Sequence, residues 1–246
     1  MTARASLEDA AGLLAAVRER APRVHCLTNS VVQKFTADGL TALGIHPSMT
    51  GSEEEVAGFV ASADALLVNL GTLDAPRRAA IRLALTAAET AGVPWTLDPV
   101  HCDRSPSRLD FASRLLARGP AVVRGNAAEM ALMPGPPAGT VAITTGAQDR
   151  LALDGRRLTV ANGHPLMAQV TGTGCLGGAL IAAFMAVSSD RLGGAASALL
   201  VYGVAAEMAA ETAKGPGTFA IALLDALAAV RPSDLLERGR LVDAER

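Results

Sequence analysis

The chain has 246 residues, enough for one α/β domain or two small ones and for a sizeable buried core. Hydrophobic residues make up 50% of it and aromatic residues 3%, so Ala, Leu and Val must build the core, as suits helices packed closely on a sheet. A formal net charge of -2 with no long run of either sign gives no footing for nucleic acid or an anionic membrane, and three cysteines without a CxxC pair exclude a disulfide framework or a thiolate zinc site.

The setting this predicts is a reducing cytoplasm. Arg4, Glu8 and Asp9 precede any apolar run, which is not the order of a signal peptide. Ser6 with Asp9 three residues on predicts a capped helix to about Arg20, ended by Pro22. Residues 23–29 read as a short strand, 30–43 as a helix stopped by Gly44, and 45–49 as a second strand. Ser52, Glu53, Glu54 and Glu55 open the next helix with acids at its favourable end.

Residues 65–69 form a strongly apolar strand, and after Gly71 and Thr72 a helix spans 75–91. The strand 94–100 ends on Asp98, held by Pro99; a helix from about 109 to 117 follows. The strand 121–124 runs through Gly125 and Asn126 into a helix ending at Met133, and 141–146 is again strand into turn. Residues 151–153 and 157–160, joined by Asp154-Gly155, predict a hairpin.

The stretch Val170-Thr171-Gly172-Thr173-Gly174-Cys175-Leu176-Gly177-Gly178 is a flexible loop feeding an uncharged helix, 173–187. Helices at 191–213 and 216–230 follow, and the charged tail from Arg231 reads as loosely attached. Neither 170–189, which opens with the Gly/Thr loop, nor 192–206, which stops at Glu207, supplies the roughly 20 apolar residues of a membrane span. Strands alternating with helices predict a single α/β domain over 1–246, with a mostly parallel sheet covered on both faces.

In such sheets ligands bind beyond the carboxyl ends of the strands. The polar residues there are Asn29, Met49-Thr50, Asn69-Gly71-Thr72, Asp98, Arg124-Asn126 and Thr144-Thr145-Gly146. The amides of the 172–174 turn and of the helix start suit a phosphate, although glycines that only allow close packing would read the same. Asp98 is either a turn-forming side chain or a hard oxygen ligand for magnesium. Glu129 either complements its helix dipole or joins Asp98 at the metal. Arg124 is a bidentate phosphate clamp or a surface ion pair. Cys175, at a helix start that favours thiolate character, is a small apolar filler, a nucleophile or a neighbour of a substrate hydroxyl. His25, His46, His101 and His164 are scattered, and spacing puts none of them beside it.

Taken in order, several strings resemble one family. Leu-Thr-Asn-Ser-Val-Val at 27–32, Pro-Ser-Met at 47–49, Val-Asn-Leu-Gly-Thr-Leu at 68–73, Leu-Asp-Pro-Val at 97–100 and Arg-Gly-Asn-Ala-Ala-Glu at 124–129 are similar to hydroxyethylthiazole kinases. So are Asn-Gly-His-Pro-Leu-Met at 162–167, Val-Thr-Gly-Thr-Gly-Cys at 170–175 and Gly-Pro-Gly-Thr-Phe at 215–219. The resemblance implies a ribokinase-like fold and transfer of the ATP γ-phosphoryl group to the alcohol of 4-methyl-5-(2-hydroxyethyl)thiazole in thiamine salvage. By that likeness Asn29, Met49, Gly71 and Thr72 line the thiazole pocket; Asp98 and Glu129 serve magnesium; and Arg124, Asn126, Thr145 and Gly146 contact ATP. Cys175 then lies beside the acceptor hydroxyl with the Gly172, Thr173 and Gly174 amides behind the transferring group. A homotrimer with its substrate pocket between subunits is implied as well.

The sequence departs from the family pattern in three places. Only residues 134–140 separate Met133 from Val141, where a longer loop and another helix are usual. His101-Cys102-Asp103-Arg104 replaces a small Gly/Ala turn, and Ala37-Asp38 stands for Ala-Asn. Two alternatives therefore stay open: a member that binds thiazole or nucleotide without turnover, and a nicotinamide-hydrate dehydratase, although dehydratases carry aspartate where Cys175 stands.

Overall fold

A computed structural model describes residues 6–243. Its nine strands form one sheet in the order β2-β1-β3-β4-β5-β6-β7-β8-β9. The first six are β1 (Arg23–Leu27), β2 (His46–Ser48), β3 (Ala65–Asn69), β4 (Trp95–Asp98), β5 (Val122–Asn126) and β6 (Val141–Thr145), all paired in parallel. β7 (Asp149–Leu153), β8 (Arg156–Val160) and β9 (Leu241–Asp243) add antiparallel. Every residue of β3 and β4 is buried, as expected of central parallel strands covered on both faces.

Helices supply that cover. On one face pack α1 (Leu7–Arg20), α2 (Gln33–Ala42), α7 (Thr173–Met185), α8 (Arg191–Thr212) and α9 (Pro216–Ala229), closing a core that includes Leu14, Leu40, Leu180, Phe184 and Phe219. On the other lie α3 (Val56–Ala61), α4 (Ala75–Ala91), α5 (Pro106–Leu116) and α6 (Ala127–Leu132), around Val56, Ile81, Trp95 and Phe111. α7 and α8 are apolar on nearly all sides, the pattern of a helix enclosed by protein. α8 is long and apolar enough to cross a bilayer, longer than the run up to Glu207 suggested, but 89% of that window is buried within the fold. Gly178 lets α7 approach the sheet: a Cβ there would sit 3.3 Å from Leu67 and 3.4 Å from the Asp98 carboxylate.

Three expectations need correction. The helix read from Ser52 starts at Val56, because the Thr50 hydroxyl accepts from the Ser52 amide and donates to Glu55, holding that first turn as a loop. α5 starts at Pro106, not about 109; Ser105 accepts from the Arg108 amide, and the Ser-Pro start went unread.

The tail is not loosely attached. It forms α10 (Pro232–Arg238), which buries Leu235, and then β9, which pairs Leu241 with Val160. Asn162 fastens it, donating to the Arg238 carbonyl at 2.9 Å and accepting from the Arg240 amide at 2.6 Å. Arg240 also pairs with Glu207 of α8. Alternating contacts of this kind escape a composition reading that sees only charge. Arg4, used above for the signal-peptide argument, and residues 244–246 of the tail lie outside the described residues.

Candidate active site

The carboxyl ends of β1, β3, β4, β5 and β6 meet the first turn of α7. Parallel register sets Asn69 of β3 directly opposite Asp98 of β4, and the Asn69 amide donates to Asp98 Oδ2 at 2.9 Å. The same nitrogen reaches Cys175 Sγ at 3.3 Å. Arg124 of β5 donates to Asp98 Oδ2 at 3.0 Å, a pair in which the carboxylate side chain is 2% exposed and the guanidinium 12%. Arg124 is therefore no surface ion pair. Its Nε is buried and has no hydrogen-bond partner among the described residues. Burial pushes the Asp98 carboxyl above the ordinary carboxylate value; Arg124 and Asn69 pull against this, and the charge of Glu129 adds to it.

Beside this cluster opens a cavity of about 540 Å³. It is lined by Arg124, Asn126, Thr145, Gly146, Thr173 and Gly174, so six residues singled out from sequence come together on one wall. Lining it as well, with no role assigned to them from sequence, are Asn162 and Gly163 from the loop after β8, and Tyr202 and Gly203 from α8. Tyr202 donates to the Thr173 carbonyl at 2.9 Å, tying α8 to the glycine turn. Gly203 is required there, because a Cβ would lie 2.6 Å from the Asn162 carbonyl oxygen. Asp149 also lines the cavity and accepts from the Gly146 amide at 3.1 Å. Its only signal in the sequence is an Asp three residues past a strand-end glycine.

Gly172 has φ 100, which favours glycine, and its α face is pressed against Val32 and Phe35. The turn it makes aims the first amides of α7 toward the strand ends. Cys175 follows on this turn, half-buried, and its surroundings oppose the pull of the helix start on its thiol. Burial first, and the Asp98 charge second, push its thiol up to about 11, against the weaker pull of Arg124. None of the four imidazoles hydrogen-bonds to it among the described residues; His25 is engaged by Ser48 and the Thr50 carbonyl. Iodoacetamide modification of Cys175 should therefore accelerate about tenfold per pH unit from pH 8 to 10. A rate already flat at pH 8 would contradict this.

On the far side of Asn69 lies a second group. Its Oδ1 accepts from the Gly71 amide at 2.9 Å, and the Thr72 hydroxyl donates to Asn29 at 2.8 Å. Gly71 packs so tightly on Asn29 that a Cβ would come within 2.7 Å. Met49 follows β2, half-buried against the larger core, at the end of the strand beside β1. Asn29, Gly71 and Thr72 are thus brought into contact, and Met49 stands on the neighbouring strand end.

Glu129 is buried at the start of α6, where it forms a capping box with Asn126 and accepts from the Asn126 and His101 amides, both at 2.8 Å. It therefore does complement its helix, and it still faces Asp98 closely enough to raise it. The departing turn contributes here: ligand atoms of His101, Asp103 and Glu129 all lie within 4.8 Å of one another. The short 134–140 connection is stitched down, with the Gly139 amide donating to Asp154 and its carbonyl accepting from Arg191 at 2.7 Å.

Comparison with known proteins points to one family. The model of the hydroxyethylthiazole kinase family matches residues 14–139 and 136–233. A protein of Agrobacterium fabrum named probable hydroxyethylthiazole kinase is 58% identical over 232 residues, covering 94% of each chain. The structure of a hydroxyethylthiazole kinase protein from Pyrococcus horikoshii OT3 superposes with a TM-score of 0.91 at 36% identity, covering 96% of this chain and 99% of that one. An ADP/ATP-dependent NAD(P)H-hydrate dehydratase from Bacillus subtilis, co-crystallised with ATP/Mg2+, shares the fold at a TM-score of 0.58 and 16% identity, covering 85% of this chain and 90% of that one.

Proposed function

The chain belongs to the hydroxyethylthiazole kinase family and has its ribokinase-like fold, and from that premise we propose how its residues serve the phosphorylation of the hydroxyethylthiazole alcohol. It is a phosphotransferase of thiamine metabolism with an alcohol acceptor. ATP takes the 540 Å³ cavity as donor, with Arg124, Asn126, Thr145 and Gly146 around it. The observation that carries this assignment is the Arg124 guanidinium on the cavity wall beside the glycine turn, where a Cβ built on Gly174 would sit 3.6 Å from its Nη1. A phosphate oxygen is the acceptor to which such a cationic donor bonds best.

Phosphoryl transfer has a loose transition state, so residues that position and neutralise matter more than a strong base. Gly172, Thr173 and Gly174 present amides behind the transferring group. Asn29, Met49, Gly71 and Thr72 hold the thiazole, and Cys175, protonated at neutral pH, sits beside its hydroxyl. Asp98 and Glu129 offer hard oxygen donors that fit magnesium, which when bound neutralises charge on the phosphates. The 1–246 chain acts as one cytoplasmic kinase domain. Val31, 76% exposed beside Asn29, leaves the acceptor side open, which supports a homotrimer covering it from a second subunit. The dehydratase reading is disfavoured, because the likeness to that enzyme is one of fold alone.

Incubation with ATP, magnesium and a panel of alcohols tests the proposal. ADP formed only with hydroxyethylthiazole supports it; stabilisation by ligand without product would replace it with a binding role. Cys175→Ala should keep measurable turnover, within about 100-fold of the parent, because no step needs its thiolate. Complete loss of activity in a folded Cys175→Ala protein would refute that assignment.

A further inference from the structure

Asn69 is wholly buried, and its side chain makes three hydrogen bonds. One amide hydrogen goes to Asp98 Oδ2 at 2.9 Å and the other to Cys175 Sγ at 3.3 Å, while its oxygen accepts from the Gly71 amide at 2.9 Å. These partners come from β4, α7 and the loop after β3, and they belong to different ends of the reaction. Asp98, through Arg124, borders the donor cavity. Gly71, through its close packing on Asn29 and the Thr72 hydroxyl bond, shapes the acceptor side. Cys175 lies between them.

We infer that Asn69 is a positioning residue for phosphoryl transfer: one buried amide fixes the acceptor pocket, the Cys175 thiol and the Asp98 carboxylate in a single register. The inference rests on the kinase reading. Its physical content is that a misplacement of about 1 Å between reacting groups costs about 100-fold in rate, and among the described residues no other side chain hydrogen-bonds to all three partners. Asn69 touches no substrate in this scheme. It holds the groups that do.

Asn69→Leu keeps the volume and removes every hydrogen bond; Asn69→Ala, which leaves space instead, is the second variant should the first fail to fold. Three quantities are measured: kcat per folded protein, the KM for ATP, and the affinity of the nucleotide-free protein for hydroxyethylthiazole by calorimetry. The expected result is a fall in kcat of about 100-fold with thiazole affinity weakened about 10-fold and the KM for ATP within about threefold. A lowered melting temperature with kcat per folded protein unchanged would make Asn69 merely structural and overturn the inference. So would a loss confined to thiazole affinity. Wild-type turnover in the same assay tests the kinase reading separately, while the nucleotide-free affinity reports on the Asn69 contacts alone.

Discussion

Asp98→Ala should abolish magnesium-dependent turnover, by about 1000-fold or more, and should also cost about 3–5 kcal/mol of stability. The two losses have different origins. Asp98 is buried and pairs with a guanidinium that is itself nearly enclosed, so truncation strands a buried cation and leaves an Asn69 hydrogen without its acceptor. Asp98→Asn isolates the charge: it opens no cavity but still leaves Arg124 without its counter-charge, so a lowered denaturant midpoint with turnover absent in the protein that remains folded is the expected pair of measurements. Near-parental kcat in Asp98→Asn would remove the carboxylate from the phosphate end of the site.

Arg124→Met should raise the KM for ATP about 100-fold, since it deletes the side chain that joins Asp98 to the cavity wall by an ion pair. It should destabilise as well, by leaving Asp98 buried and unpaired. The double variant Asp98→Ala with Arg124→Met then becomes informative. Removing both charges should cost at least about 2 kcal/mol less than the sum of the single costs, because neither partner is left stranded. Additive urea-unfolding costs would show that the pair contributes nothing as a pair.

How much of this was legible in the sequence depends on how local each signal is. β3 and α4 were read with their true limits, because an unbroken apolar run ends at a polar residue, and because Asp74, Pro76 and Gly92 punctuate the helix from both sides. The β7–β8 hairpin was visible in Asp154-Gly155 for the same reason. The strand-end polar residues placed most of the site, since a parallel sheet gathers those ends by construction. What escaped depends on contacts between distant segments. Asn69 was noticed as a strand end, but its bridging role exists only through register with Asp98 and the approach of α7. Tyr202 and Gly203 lie in a helix whose sequence announces nothing but burial. The state of the Cys175 thiol is not legible in sequence, because a helix start is a short-range signal, whereas burial and the charge of Asp98 are set by the whole fold.

The fastening of Asn162 to Arg238 and Arg240 has a temporal corollary. During translation those two residues emerge after every other piece of the donor cavity has been made. A nascent polypeptide therefore carries Asn162 unmoored until Arg240 has followed, and nucleotide capture waits on that late fastening.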